Sequence, residues 1–183
     1  MFNEKINDEL SLRLLETRDA AVVFNLVDQS RDYLRRWLGW VDDTKTVQDT
    51  EKFIQITMEG FSARRSLNAA ILYKGQIVGI AGYNEFDWTN KIAYIGYWMG
   101  EGYQGKGIMT NAVRFLTRYA IDELELNRVD IRAAVQNKKS RAIAERLGFT
   151  EEGRLRQAEY LYDRYVDHVI YGMLATDWKE RSL

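Results

Sequence analysis

The sequence predicts a mixed α/β fold in which a central sheet, mostly antiparallel with one parallel strand pair, is flanked by helices. Segments 67–83 and 155–174 each place alternating apolar residues on both sides of a short turn signal, as β-hairpins do. The apolar segment 92–99 passes through a glycine-dense stretch into a helical pattern and then into a strand pattern at 128–135. Strand, helix and strand in that order make the two strands parallel, joined by a right-handed crossover. Two further helical patterns precede these strands.

In chain order, 10–15 reads as a strand, 18 to about 36 as a helix capped by Thr17, and 47–65 as a helix whose Thr46 and Asp49 fit a capping box. Leu67, Ala69, Ile71 and Tyr73 then alternate, Lys74 and Gly75 turn, and 77–83 returns as the partner strand. The 92–99 segment is apolar on both parities, the pattern of a central strand covered on both faces. From Ile108, residues Met109, Ala112, Val113, Leu116 and Ala120 form one stripe at helical spacing. Asn137 caps a short helix that ends at Gly148, and 155–162 pairs with 165–174 around Asp163 and Arg164.

At 183 residues the chain is expected to form a single domain, 1–183, large enough to bury about 70% of its unfolded surface. The 26 basic and 27 acidic residues nearly cancel, so nothing in the overall charge attracts nucleic acid or an anionic membrane. Cysteine is absent, which removes disulfides and thiolate chemistry and leaves a metal site improbable. No apolar run approaches 18 residues and MFNEKINDE is no signal peptide, so a cytoplasmic protein is expected.

The turn at 100–107 is built for a phosphate, because its glycines let backbone N–H groups approach a ligand at the start of a helix. Gly100, Gly102 and Gly105 spell the dinucleotide fingerprint, and 100–106 nearly spells a nucleotide-triphosphate loop. Neither is complete. Gly107 stands where the triphosphate loop needs a magnesium-binding hydroxyl, and the strand at 128–135 ends in Val135, Gln136 and Asn137 instead of an acid for a ribose.

Gln104, Gly105, Lys106, Gly107, Ile108 and Met109 resemble the Q/R-x-x-G-x-G/A pyrophosphate loop of the GNAT N-acetyltransferase superfamily, with Met109 in place of its last small residue. Asn137, Ser140, Ala144, Leu147, Gly148 and Phe149 resemble the block that follows it there. YLRRWLGWVDD at 33–43 and EEGRLRQAEY at 151–160 are similar to the RimJ/RimL-type branch, which acetylates N-termini of ribosomal proteins. The resemblance implies a splayed parallel strand pair with acetyl-CoA between its strands, held by Trp98, Met99, Gln104, Gly105, Lys106, Gly107, Ile108, Met109 and Asn137. Lys138, Lys139 and Arg141 read either as a solvated helix face or as cations for the 3′-phosphate of coenzyme A.

Acetyl transfer to an amine requires a base for the ammonium proton, donors for a tetrahedral oxyanion and a proton for the departing thiolate. The resemblance selects Glu159 as base, a residue that on its own reads as a surface strand glutamate. A position used as base in other relatives is Arg132 here, which accepts no proton. Ser140 matches the branch's serine near the thioester sulfur, and three residues after Asn137 it can equally serve the first helical turn. The oxyanion falls to a backbone N–H near Met99. Tyr33, Trp37 and Trp40, with Asp42 and Asp43, read as an acceptor-facing wall or as core. His168 shares parity with Val166 and Ile170 and reads as a packed or edge histidine.

The expected activity is transfer of an acetyl group from acetyl-CoA to a protein N-terminus, with no metal, no nucleic acid and no membrane, and with a homo-oligomer left open. A polyamine or aminoglycoside is the alternative acceptor. A non-catalytic coenzyme A or nucleotide-binding module is the alternative class.

Overall fold

The computed structural model describes residues 2–181. Its strands are β1 (Asn3–Lys5), β2 (Leu10–Leu14), β3 (Leu67–Tyr73), β4 (Gln76–Asp87), β5 (Ile92–Met99), β6 (Arg128–Ala134), β7 (Thr150–Leu161) and β8 (Arg164–Leu174). They join in one sheet in the order β1-β2-β3-β4-β5-β6-β8-β7. Every neighbouring pair is antiparallel except β5 and β6. The helices are α1 (Ala20–Asp28), α2 (Arg31–Leu34), α3 (Val47–Ser62), α4 (Ile108–Arg118), α5 (Lys138–Arg146) and α6 (Ala175–Arg181).

Alternation along the strands divides the apolar residues between two layers. Ala69 and Ile71 of β3, Ala93 and Ile95 of β5, and Val129 and Ile131 of β6 pack in one cluster with Ala112, Val113 and Leu116 of α4 and Ala144 of α5. Ala70 and Ile80, pointing the other way, pack with Ala20 and Val23 of α1 and Ile54 of α3. Tyr83 is fully buried, and its hydroxyl donates to Leu116 O at 2.6 Å, which ties β4 to α4.

The parallel pair is short. β5 and β6 pair only from Ile92 opposite Arg128 to Ile95 opposite Ile131. Beyond that point β5 continues beside β4, with Gly79 opposite Met99, while β6 continues beside β8, with Ala134 opposite His168. The two central strands therefore part at Gly96, and the gap between them positions the site. It also corrects one expectation. Of β5, only Ala93 and Ile95 are buried, and the second apolar parity, Tyr94 and Trp98, is half-buried because it lines a chamber instead of a closed core.

The helix expected at 18–36 is broken into a 3-10 turn (Thr17–Asp19), α1 and α2. Its N-cap is Glu16, not Thr17, with Asp19 closing the capping box and gripped by the Arg13 guanidinium at 2.7 and 2.8 Å. The break falls at Ser30, whose hydroxyl accepts from Glu101 N at 3.1 Å, a tertiary bond invisible to periodicity. The α3 capping box is as expected from Thr46 and Asp49, and the helix stops at Ser62 because Arg64 takes a left-handed φ of 55°. Further differences concern ends: β1 and α6 were not expected, β4 runs on to Asp87, and β7 starts at Thr150.

Candidate active site

The turn after β5 ends in two left-handed glycines, Gly105 with φ 74° and Gly107 with φ 71°. Gly107 is the N-cap of α4, and no side chain caps that helix. The first amides of α4 are thus left for a ligand, and the helix dipole favours an anionic one. Met109, the departure from the family pattern, turns its side chain into the core at 6% exposure, so it does not obstruct the amides. Lys139 Nζ donates to Gln104 Oε1 at 2.7 Å and ties the turn to α5.

A cleft of about 720 Å³ runs from this turn along β5 and α5. Its walls include Trp98, Met99, Gln104, Gly105, Gly107, Ile108, Met109, Asn137 and Ser140, which the structure brings together as expected, along with Tyr33 and Trp37. Lys106 is not among them: its Nζ lies 5.7 Å from the Tyr103 ring and 5.8 Å from that of Tyr73. Arg146 and Tyr97 are among the cleft residues missed in the sequence. Arg146, beyond the motif, donates to Thr110 Oγ1 at 2.7 Å and adds a cation beside the first turn of α4. Tyr97, one residue before Trp98, sits at its inner end.

A second chamber, of about 1090 Å³, opens on the other side of the splayed strands. Trp40, Asp43, Tyr94, Asp130, Arg132, Glu159 and His168 line it. Trp37, Leu38, Tyr97, Trp98, Asn137 and Ser140 line both cavities, so the two meet at the gap between β5 and β6. Met99 offers a backbone donor to that gap. Gly100 N donates to Val78 O on the β4 side at 2.9 Å, and because successive amides of a strand alternate between its edges, Met99 N–H points away from β4.

A family model for the acetyltransferase (GNAT) domain matches residues 9–150. The chain belongs to the GNAT acetyltransferase family. As a GNAT sequence it is 39% identical, over 98% of its own length and 98% of the relative's, to YdaF of Bacillus subtilis (strain 168), a protein named as a candidate ribosomal N-acetyltransferase. Its fold matches that of the ribosomal L7/L12 α-N-protein acetyltransferase RimL in complex with coenzyme A, with a TM-score of 0.92, 28% identity and coverage of 97% of this chain and 99% of that one. It matches the microcin C7 self-immunity acetyltransferase MccE, in complex with acetyl-CoA and AMP, with a TM-score of 0.89, 35% identity and coverage of 93% and 94%.

The residues present fit the acetyl-CoA of a GNAT enzyme. The uncapped α4 amides and Arg146 suit a pyrophosphate, and the strand gap gives a thin chain a way to the second chamber. At the junction, Tyr97 OH lies 3.1 Å from both Ser140 O and Ser140 Oγ. The cap of α5 uses the Ser140 backbone N–H, which donates to Asn137 Oδ1 at 3.3 Å, and leaves the serine hydroxyl available. Burial pushes the Tyr97 phenol up to about 12, so it stays protonated throughout the neutral range and serves Ser140 as a hydrogen-bond partner. Among the described residues no group of three or more His, Cys, Asp or Glu is placed to hold a metal ion.

Other expected residues are placed differently. Tyr33 lines the first cleft, not the chamber with Glu159. Lys139 Nζ lies 5.6 Å from its ring. Trp40 stands 5.7 Å from Trp98 in the second chamber. Asp42 is exposed and held by Arg35 Nε at 2.8 Å, whose guanidinium keeps its carboxyl below the usual range, so of the two neighbouring acids only Asp43 faces the chamber. Arg141 bonds Tyr171 OH at 2.8 Å and Val135 O at 3.0 Å, a structural strut between α5 and the sheet.

Ser140→Ala tests the junction. A thiol ionises near pH 8.5, so a departing thiolate needs only modest help at neutral pH, and kcat should fall by about 10-fold. Stability should hold, because the Asn137 cap needs only the backbone of residue 140. An unchanged kcat would remove Ser140 from the chemistry.

Proposed function

We propose that this acetyltransferase moves the acetyl group of acetyl-CoA onto the N-terminal α-amine of a protein, with a ribosomal protein as acceptor. The observation that carries the reading is the meeting of two cavities at Ser140 and Trp98, one with a phosphate turn at its end and the other holding Glu159. The thioester would arrive from the first and the amine from the second.

The chemistry suits an α-amine. Such an amine has an ordinary pKa near 8 and a lysine near 10.4, so freeing the former of its proton at neutral pH costs about 3 kcal/mol less. A single carboxylate can do this, and Glu159 is the proposed base. Trp37, Trp40 and Trp98 offer flat apolar area to the end of a peptide, while Asp43 suits its ammonium. Met99 N–H is the proposed oxyanion donor, and Ser140 the proton source for the thiolate. Relatives support the acceptor class: YdaF and RimL both carry names tied to ribosomal proteins. Such an acceptor places the work in the cytoplasm. No described helix is long and apolar enough to cross a membrane.

A small amine is the second reading. MccE, 35% identical, was solved with AMP beside acetyl-CoA. The two readings separate in steady-state kinetics. Coenzyme A release with peptides bearing a free N-terminal serine or alanine should proceed with a kcat/KM at least about 10-fold above that for spermidine or an aminoglycoside, a gap of about 1.4 kcal/mol in transition-state binding. Faster turnover of the polyamine or the aminoglycoside would reverse the assignment.

A further inference from the structure

Glu159 reaches the second chamber only because β7 is irregular. Leu155 stands opposite His168 and Glu159 opposite Val166, so four residues on β7 are spanned by two on β8. In unbroken register Glu159 would stand opposite Arg164, roughly 13 Å along the strand from His168. The two extra residues instead make it the diagonal neighbour of His168 on the same face of the sheet, as a bulge re-aims a side chain.

The bulge is pinned. Gln157 takes a left-handed φ of 48°, its N–H donates to Asp167 Oδ1 at 2.7 Å, and Asp167 is held from its other oxygen by Arg154 Nε at 2.8 Å. The product is a contact between His168 Nε2 and Glu159 Oε2 of 2.9 Å. Both side chains are partly shielded, His168 at 19% and Glu159 at 34% exposure, and both line the chamber. His168 belongs to β8, which is paired on both edges, by β6 and β7, and is a rigid mount.

We propose that His168 is the positioning residue of this active site: its Nε2–H holds Oε2 of Glu159 and leaves Oε1 as the one oxygen open to the acceptor amine. Oε1 lies on the side of Gly39, where an added Cβ would stand 4.0 Å from it, under the turn that carries Trp37 and Trp40. In the proton step an N–H bond of the ammonium breaks and an O–H bond forms at Oε1, while the Nε2–H···Oε2 bond persists. The proton passes to water when the acetylated product leaves. The inference rests on the proposal that Glu159 is the base.

Five enzymes test it: wild type, Glu159→Gln, His168→Ala, the double variant and His168→Gln. His168→Ala should lower kcat by about 10- to 10²-fold, the scale of a misplaced catalytic group, with KM for acetyl-CoA unchanged. His168→Gln, which keeps a side-chain N–H, should recover part of that loss. In the Glu159→Gln background, His168→Ala should cost less than about 2-fold, because a residue acting through Glu159 has nothing left to position. Unchanged acetyl-CoA affinity by calorimetry shows that each variant has folded its site. Wild-type kcat in His168→Ala, or losses that multiply in the double variant, would overturn the inference alone. Wild-type kcat in Glu159→Gln would overturn the base and the inference together.

Discussion

Glu159→Gln should lower kcat by about 10² to 10⁴ at neutral pH, the usual contribution of general base catalysis. The substitution keeps the shape of the side chain and a hydrogen bond to His168 but accepts no proton. Acetyl-CoA affinity should hardly change, because Glu159 lines the second chamber and not the cleft with the phosphate turn. Much of the loss should return as pH rises from 6 to 9, since an α-amine with an ordinary pKa near 8 then sheds its own proton. Tyr97 does not confuse this profile: burial lifts its phenol to about 12, so it is raised above the unfolded value and keeps its proton across the whole window. A residue that only orients the acceptor would raise KM without alkaline recovery. Full activity across that range would pass the role to Asp43, Asp49 or Asp130, the other chamber acids.

Gly107→Asp should weaken acetyl-CoA binding by about 10²-fold or more while leaving the fold intact. Like charges brought together in a binding site cost several kcal/mol, and this carboxylate would sit at the α4 N-terminus, where a pyrophosphate fits. The stability side is nearly balanced. A left-handed φ of 71° penalises any residue with a Cβ by about 1–2 kcal/mol, but aspartate is among the better N-caps and offsets about that much at a helix that has no side-chain cap. Space is no obstacle, for the nearest atom to an added Cβ is Asn111 Nδ2 at 3.8 Å. Calorimetry reads the affinity and a thermal melt reads the fold. Unchanged affinity would take this turn out of the cofactor site.

The parts of the fold that were legible in sequence are those fixed by short-range chemistry. Alternation gave the hairpin at Lys74 and Gly75, the stripe from Met109 to Ala120 gave α4, and Thr46 with Asp49 gave the start of α3, because each signal lies within one element. The glycine turn at the start of α4 was legible for the same reason. What escaped depends on contacts between distant segments. Ser30 ends α1 through Glu101, far along the chain. The β7 bulge is set by Asp167 on another strand, and without it nothing in the sequence distinguishes His168 from an edge histidine. Tyr97 and Arg146 joined the site through tertiary placement alone. Lys106, inside the motif, points at Tyr103 and Tyr73 because aromatic faces attract its ammonium.

The claim that the second chamber receives a chain end is tested most directly by offering one peptide that carries both a free α-amine and a lysine, with limiting acetyl-CoA at neutral pH. Tandem mass spectrometry then locates the acetyl group. The pKa difference predicts it on the N-terminal nitrogen in nearly all molecules, with the lysine unmodified. Acetyl found mainly on the lysine, or no acetylated peptide in a preparation that turns over spermidine rapidly, would contradict it.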